Sequence, residues 1–360
     1  TVLEDEEVTL TFDLPEGTSK PLVSINRDFT APIRISRRLS RDEQLALVRM
    51  ETDPFNQWDG VQTLAKAEIL ALAEGSQAEP DDDLVEAVAS AIKGATEDPA
   101  FAALLTRLPD VGELFLEHQP ADAVALNGAR KKLQRALSKK LSDLIETILN
   151  QPSPTPYNPG AEQAGVRALR TALINLLAVS GTEGVEQRLL ALYEAAPNMT
   201  EQLATLRGLA SLVGGARQKA LADFEAQWKS NPLVMDKWFS VQAATGDAET
   251  VRDLANHPEF DLRNPNRVRS VAAVFAMQNL AAFHAPDGEG YRLVETIILK
   301  ADKANPALGA RLLTAFEQWR ILEPRARAEA EACLRSLQAS DLSKNSADIV
   351  LRALGEAGLG

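Results

Sequence analysis

The amino-acid sequence predicts a mainly α-helical fold: a right-handed superhelix of stacked antiparallel helix pairs, HEAT-like or armadillo-like, preceded by a short incomplete β-sandwich segment. From Ser40 onward, apolar residues recur at helical spacing between closely spaced Pro and Gly breaks. Before Ser40, apolar and polar residues alternate, which is the period of a half-buried strand. Each helix pair can bury its apolar face only against the next pair, so we expect the array to curve around a concave surface.

Residues 1–38 are assigned to the last strands of a β-sandwich domain, and residues 39–360 to the α-helical superhelical domain. The first predicted strand is the alternating stretch 6–14, and two more follow at 22–26 and 29–35. Three strands are too few for an independent sandwich. We therefore expect the remaining strands to lie upstream, in a longer polypeptide.

Local signals place the helices of the second region. Ser40 and Glu43 form a capping box ahead of the first helix, and Asp53-Pro54 begins a second helix that runs to about Ala73. The apolar spacing predicts the longest helix from Ala121 to about Asn150. Four prolines in residues 151–160 then interrupt the array and predict an extended connector.

Composition excludes several classes of partner. The chain has 360 residues and a net charge of −13, so we expect it to bind neither nucleic acid nor an anionic membrane surface. No apolar run is long enough for a membrane helix, and the acidic start TVLEDEEV is unlike a basic signal peptide, which predicts a cytoplasmic protein. The single cysteine, Cys333, excludes an intrachain disulfide, and its Ala- and Leu-rich surroundings predict a buried or half-buried thiol rather than a nucleophile.

The turn at 264–270, NPNRVRS, holds the strongest candidate for a binding site. Asn266 is predicted to cap a helix, which places Arg267 and Arg269 in the first turn. Cations there oppose the helix dipole. The two guanidinium groups either hold an anion together with free backbone N–H groups, or pair with acidic residues of a neighbouring helix.

Five segments carry a resemblance to a known family. In chain order they are FTAPIRI (29–35), DPFNQWDGVQTLA (53–65), DKWF (236–239), NPNRVRS (264–270) and AAFHAPDGEGY (281–291). In combination they resemble the C-terminal part of bacterial aminopeptidase N, a zinc metallopeptidase of the gluzincin class. The resemblance runs from about Val8 to the C-terminus.

The resemblance implies the function. The chain would belong to an enzyme that removes N-terminal residues from peptides, and its helical domain would close a cavity over the active site. The implied partners are the upstream catalytic and β domains of the same polypeptide and short peptides, and the implied cofactor of the parent enzyme is zinc. Family arginines that match Arg269 and Arg311 face the cavity, so these two are the predicted substrate-binding residues.

The catalytic centre itself is not encoded in this sequence. Zinc peptidase chemistry needs H-E-x-x-H with a further ligand, and none of His118, His257 and His284 begins that motif. We therefore predict no catalytic residue, no metal ligand and no cofactor within this chain, and no activity for the chain alone. His284 is expected to be hydrogen-bonded structure rather than an acid or a base.

A second interpretation comes from another class of protein, a noncatalytic helical-repeat scaffold that binds a partner protein on its concave face. An apolar concave surface would favour the scaffold. A concave surface with a few convergent arginines and polar groups would favour peptide handling.

Overall fold

The computed structural model of the chain describes residues 9–17, 21–33 and 35–355, which fold into a helical array. The first ten α-helices are α1 (Arg41–Met50), α2 (Pro54–Ala73), α3 (Asp82–Gly94), α4 (Pro99–Leu105), α5 (Val111–Leu114), α6 (Ala123–Lys140), α7 (Ser142–Asn150), α8 (Ala161–Val179), α9 (Val185–Glu194) and α10 (Met199–Ala210). The next ten are α11 (Gly215–Trp228), α12 (Pro232–Thr245), α13 (Ala248–Ala255), α14 (Pro265–Val268), α15 (Val274–Gln278), α16 (Leu280–Phe283), α17 (Glu289–Ala304), α18 (Pro306–Leu312), α19 (Pro324–Gln338) and α20 (Lys344–Leu354). The predicted mainly α fold is confirmed.

Most helices pack against helices close to them in the chain, as expected for an array of repeats. The longer helices α2, α6, α8, α10 and α12 contact one another in succession, and α17 to α20 form a further packed group. One contiguous cluster of buried apolar side chains runs from Leu45 to Leu354. Leu322 also returns to the first half of the chain, where it forms an isolated parallel bridge with Ala121.

The start of the helical region follows the predicted capping signals. Ser40 Oγ accepts a hydrogen bond from the Glu43 amide at 3.2 Å, and the Glu43 carboxylate accepts one from the Ser40 amide at 2.9 Å. Asp53 caps α2 by accepting from the Asn56 amide at 2.8 Å, with Pro54 at the first helical position. Both predicted helix starts are confirmed.

The described residues before Arg41 form no β-strand, contrary to the three strands predicted from the alternating pattern. The first predicted strand, 6–14, lies outside the described residues at 6–8, and the third, 29–35, lies outside them at position 34. Phe12 is 75% exposed and Val23 is 55% exposed, and Arg27–Phe29 form a 3-10 turn. A strand needs a hydrogen-bonded neighbour, and the described residues supply none here. The assignment of residues 1–38 to a β-sandwich domain remains a prediction.

This first segment is attached to the helical array by polar contacts. The Asp28 amide donates to Asp53 Oδ2 at 2.7 Å, and the Asn56 amide nitrogen donates to Ser24 Oγ at 2.9 Å. Arg27 forms an ion pair with Glu51 at 2.8 Å. The segment therefore adheres through the turn between α1 and α2, although its apolar side chains remain exposed.

The predicted long helix from Ala121 to Asn150 is wrong in one respect, because it is two helices. Leu141 has φ −100° and ψ 10°, which breaks helical geometry between α6 and α7, and the longest helix is instead α2, with 20 residues. The stripe of Leu137, Leu141 and Ile145 is buried without interruption, so periodicity could not reveal the break. Beyond the break, α7 packs on α8, while α6 packs on α2, α3 and α8.

The proline-rich connector 151–160 contains no helix or strand, as predicted, and a buried ion pair holds it in place. Arg170 Nε donates to Glu201 Oε2 at 2.9 Å, and Arg170 Nη1 donates to the Gln151 carbonyl at 2.9 Å. Ser153 Oγ donates to the same carboxylate at 2.7 Å. Burial opposes ionisation of Glu201, but hydrogen bonds from Ser153, Asn198 and Arg170 outweigh it and lower the pKa of this carboxyl.

Within the described residues, no helix combines the length and the apolar character needed to cross a membrane.

Candidate functional site

A groove of about 620 Å³ lies between α10, α12 and the segment from α14 to α15. Its volume falls in the range typical of ligand sites. The residues that carry its polar and apolar character are Leu203, Arg207, Leu233, Asp236, Lys237, Ser240, Asn266, Arg269, Met277 and Gln278. We call this feature the basic groove, for the three cations among these residues.

The short helix α14, which leads into the groove, begins two residues earlier than predicted. Asn264, not Asn266, is the N-cap: its Oδ1 accepts from the amides of Asn266 at 3.0 Å and Arg267 at 3.4 Å. Pro265 occupies the first helical position, where its fixed φ suits the helix and its missing N–H costs no hydrogen bond. Asn266 is left free to turn its side chain toward Arg269, and its Oδ1 accepts from Arg269 Nη2 at 2.5 Å.

A π-helical turn follows at Arg269–Ala273, between α14 and α15. Such turns are rare in proteins and occur frequently at functional sites. Within it, Val271 and Ala272 are buried, and the Ser270 hydroxyl donates a hydrogen bond to the Arg267 carbonyl at 2.8 Å. Arg269, the first residue of the turn, is exposed and lines the groove.

Arg267 and Arg269, two residues apart, have different environments. Arg267 is 3% exposed, donates from Nε to Asp236 Oδ1 at 2.6 Å, and places its guanidinium 4.5 Å from the centre of the Phe239 ring. It also donates to the carbonyls of Glu259 and Pro232. Of the two alternatives drawn from the sequence, pairing with an acidic neighbour is therefore correct for Arg267. Among the described residues, Arg269 forms no ion pair, and its one side-chain hydrogen bond is to Asn266.

The groove is cationic although the chain is acidic overall. Arg207 on α10 and Lys237 on α12 line it together with Arg269, and all three are exposed. In the described part of the chain, none of the three forms an ion pair. Asp236, the acidic residue in the lining, is neutralised by the buried Arg267. Three unpaired cations therefore converge on one surface of a protein whose net charge is −13.

A neighbouring cavity of about 680 Å³ shares Met277 and Gln278 with the basic groove, but its charge is balanced. Asp110 and Glu113 line it together with Arg130 and Lys131. Arg130 lies 3.7 Å from Asp110, and burial lowers the pKa of its guanidinium. The excess of positive charge is therefore a property of the basic groove rather than of this whole face.

Arg311 lies near the groove without lining it. It is exposed on α18, a helix that packs against the π-helical turn at Arg269–Ala273. The fold thus brings the elements that carry the two predicted substrate-binding residues into contact. Their role in binding substrate remains a prediction.

His284 and Cys333 are both buried, and for Cys333 a buried or half-buried thiol was predicted. His284 Nδ1 lies 2.6 Å from the Tyr291 hydroxyl, and burial lowers the pKa of the imidazole to about 4, so the ring is neutral at neutral pH. Burial also raises the pKa of the Cys333 thiol well above its usual range. The sequence interpretation of His284 as hydrogen-bonded structure is confirmed. Four residues later, Gly288 has a positive φ of 70° and is the N-cap of α17.

The described residues offer no group of side chains suited to hold a metal ion. Across residues 9–17, 21–33 and 35–355, no three His, Cys, Asp or Glu side chains come together in a group that could hold a metal ion. The lining of the basic groove offers guanidinium, ammonium and amide donors, which can bind anions and extended polar groups.

Arg207 and Lys237 were missed by the sequence interpretation. They lie 30 residues apart on different helices, and neither belongs to a motif. Only the packing of α10 against α12 places them beside Arg269.

The comparisons with known proteins agree with the fold. A protein-family model described as "Domain of unknown function (DUF3458_C) ARM repeats" matches residues 41–355. Aminopeptidase N of Caulobacter vibrioides is 36% identical and that of Escherichia coli is 29% identical, each match covering 98% of this chain and 42% of the relative. A crystal structure of Legionella pneumophila aminopeptidase A in complex with aspartic acid matches with a TM-score of 0.80 and 26% identity, over 92% of this chain and 40% of that one.

The chain spans less than half the length of the curated relatives it matches. The resemblance to the C-terminal part of aminopeptidase N, drawn from five short segments, is confirmed by these matches. With residues 41–355 matched by the family model, the chain belongs to the DUF3458_C family of ARM-repeat domains.

Proposed function

We propose that this chain is the C-terminal capping region of a zinc-dependent aminopeptidase N that removes N-terminal amino acids from peptides. It would cover the active-site cavity and receive the far end of the bound peptide. Two observations support the proposal: the similarity to aminopeptidase N extends over 98% of the chain, and the basic groove carries Arg269 on a π-helical turn. The groove is the single feature that carries the substrate-binding role.

A free peptide ends in a carboxylate, and a guanidinium fork can hold a carboxylate through two parallel hydrogen bonds. Arg269 has no carboxylate partner within the described residues, so its donors other than the one that Nη2 gives to Asn266 are available to a ligand. Such a charged hydrogen bond contributes about 1.5–3 kcal/mol when it is partly desolvated. Arg311, on the helix packed beside the π-helical turn, would add a second guanidinium.

The remaining lining would hold the peptide between its ends. Ser240, Asn266 and Gln278 offer hydroxyl and amide groups that match a peptide backbone. Leu233 is 70% exposed and Met277 is 37% exposed, so apolar side chains of a peptide would cover surface that is otherwise in water.

The zinc would be held elsewhere in the parent enzyme, since the described residues of this chain offer no group of ligands for it. Zinc in such sites polarises a carbonyl and lowers the pKa of a bound water. The residues of this chain would bind and orient the substrate, and the helical array would exclude bulk water from the cavity.

The test uses the full-length parent enzyme and two substrates. Arg269→Ala and Arg311→Ala should raise KM for a tripeptide with a free carboxylate by about tenfold, and leave KM for a single amino-acid anilide nearly unchanged, because the anilide cannot reach the groove. Arg327→Ala, at an exposed arginine of α19 outside the groove, is the matched control. Equal losses on both substrates, or none, would contradict the substrate-binding role.

The alternative of a noncatalytic scaffold is less well supported. An apolar concave surface would favour it, whereas three cations and several amide and hydroxyl groups line the basic groove, which favours peptide handling.

A further inference from the structure

We infer that the basic groove selects peptides that carry acidic side chains, and that Arg207 and Lys237 are the residues that determine this selectivity. The inference rests on the proposed function, because it specifies which peptides the groove would favour. It extends that proposal from the terminal carboxylate, which every free peptide has, to the charge of the peptide's own side chains.

The first argument is the number of cations. One terminal carboxylate can occupy one guanidinium fork, and Arg269 is available for it. Arg207 and Lys237 would then still line the groove without a counterion, since neither pairs with a described residue. Acidic side chains of a bound peptide would supply the missing negative charge.

The second argument is the placement of the cations. Arg207 lies in the last turn of α10, Lys237 on α12 and Arg269 on the π-helical turn, so each wall of the groove contributes one. Successive side chains of an extended peptide point to opposite sides. Cations on separate walls can therefore meet charges at different positions along one peptide.

The third argument is the surrounding charge. The only acidic residue in the groove lining, among the described residues, is Asp236, and Arg267 neutralises it at 2.6 Å. The neighbouring cavity, by contrast, sets Asp110 and Glu113 against Arg130 and Lys131. With a net charge of −13 on the chain, an acidic ligand is repelled by most of the surface and attracted to this groove.

The experiment compares two peptides that differ only in charge, Ala-Asp-Asp-Ala-Ala and Ala-Asn-Asn-Ala-Ala, whose two adjacent side chains point to opposite sides when the peptide is extended. Their Kd for this chain is measured by isothermal titration calorimetry at low salt, and their kcat/KM is measured with the full-length parent enzyme. We expect the Asp peptide to bind about tenfold more tightly, and the ratio to fall at high salt because exposed charges are screened.

The variants assign the selectivity. Arg207→Ala and Lys237→Ala should each reduce the Asp-to-Asn affinity ratio by about threefold, with little effect on the Asn peptide. Arg207→Glu should abolish the preference. Arg269→Ala should weaken both peptides equally, because both end in a carboxylate, and Arg327→Ala should change neither. Thermal unfolding of each variant checks that the fold is retained.

Equal Kd values for the two peptides with the wild-type chain would overturn the inference. So would equal losses on both peptides in Arg207→Ala and Lys237→Ala. The failure of the proposed function looks different: the parent enzyme would cleave neither peptide, while the binding preference of this chain and its loss in the variants would persist.

Discussion

Arg170, at the junction of α8 and α10, is used differently from the arginines of the basic groove. Arg170 is buried and its donors are met by Glu201, Ile148 and Gln151. Arg207 and Arg269 are exposed and pair with no described carboxylate. A guanidinium that the fold has satisfied holds helices and a connector together. One that the fold has left available on a concave surface is a candidate for binding.

The same contrast occurs within a single turn. Arg267 is buried against Asp236 and Phe239, whereas Arg269, one peptide unit beyond Val268, points to the groove. Arg267 belongs to α14, whereas Arg269 is the first residue of the π-helical turn. Helical spacing alone treats them as equivalent, because both are predicted in the first turn of one helix, and only the family resemblance singled out Arg269 as a substrate-binding residue.

The largest effect should come from breaking the buried ion pair. Glu201→Ala leaves the guanidinium of Arg170, which is 6% exposed, without its charge partner, so we expect the free energy of unfolding to fall by about 3–5 kcal/mol. The connector 151–160 should also exchange its amide hydrogens faster, because Ser153 loses the carboxylate that holds it. Urea unfolding and hydrogen exchange measure the two effects.

A matched surface pair provides the control for that variant. Glu194→Ala removes an exposed partner of Lys219 and should leave stability nearly unchanged.

The pH dependence of stability gives a further check on the buried ion pair, because the pKa of Glu201 is lowered in the folded state. The stability that its ionisation contributes is present above its ordinary pKa of 4.5 and is lost as the pH falls through the lower folded value. A difference between wild type and Glu201→Ala that is constant from pH 7 to strongly acidic pH would contradict this account.

The next effect separates the two arginines of the turn. Arg267→Ala should lower the free energy of unfolding by about 3 kcal/mol, because Asp236 loses its partner and Phe239 loses a packed cation. Arg269→Ala should change stability little, because its guanidinium is exposed and, among the described residues, is hydrogen-bonded only to Asn266. Urea unfolding of both variants, two residues apart, is the measurement. Similar losses in the two would remove the distinction between a structural and a binding arginine.

Local signals predicted what is local in this fold. The Ser40–Glu43 capping box and the Asp53-Pro54 helix start were correct, because each is decided by hydrogen bonds within one turn. The N-cap before Arg267 was predicted at Asn266 but is Asn264. The Asn-Pro-Asn sequence offers two capping residues, and the only local signal for the earlier one is Pro265, which suits the first helical position.

Features set by packing could not be predicted. The break at Leu141 leaves the buried stripe intact, so the sequence pattern does not change there. The π-helical turn at Arg269–Ala273 has no sequence signature, and Arg207 and Lys237 reach the groove only because α10 packs on α12. The alternating residues before Ser40 predicted strands that the described residues do not form, since a strand depends on a partner outside its own sequence.

The most direct test of the central claim is a double-mutant cycle between Arg269 and the carboxylate of the substrate. In the full-length parent enzyme, kcat/KM is measured for Ala-Ala-Ala and for its C-terminal amide, with wild type and with Arg269→Ala. We predict a coupling energy of about 1–2 kcal/mol, because the amide and the variant each remove the same charged hydrogen bond. A coupling energy indistinguishable from zero would contradict the claim that Arg269 binds the end of the peptide.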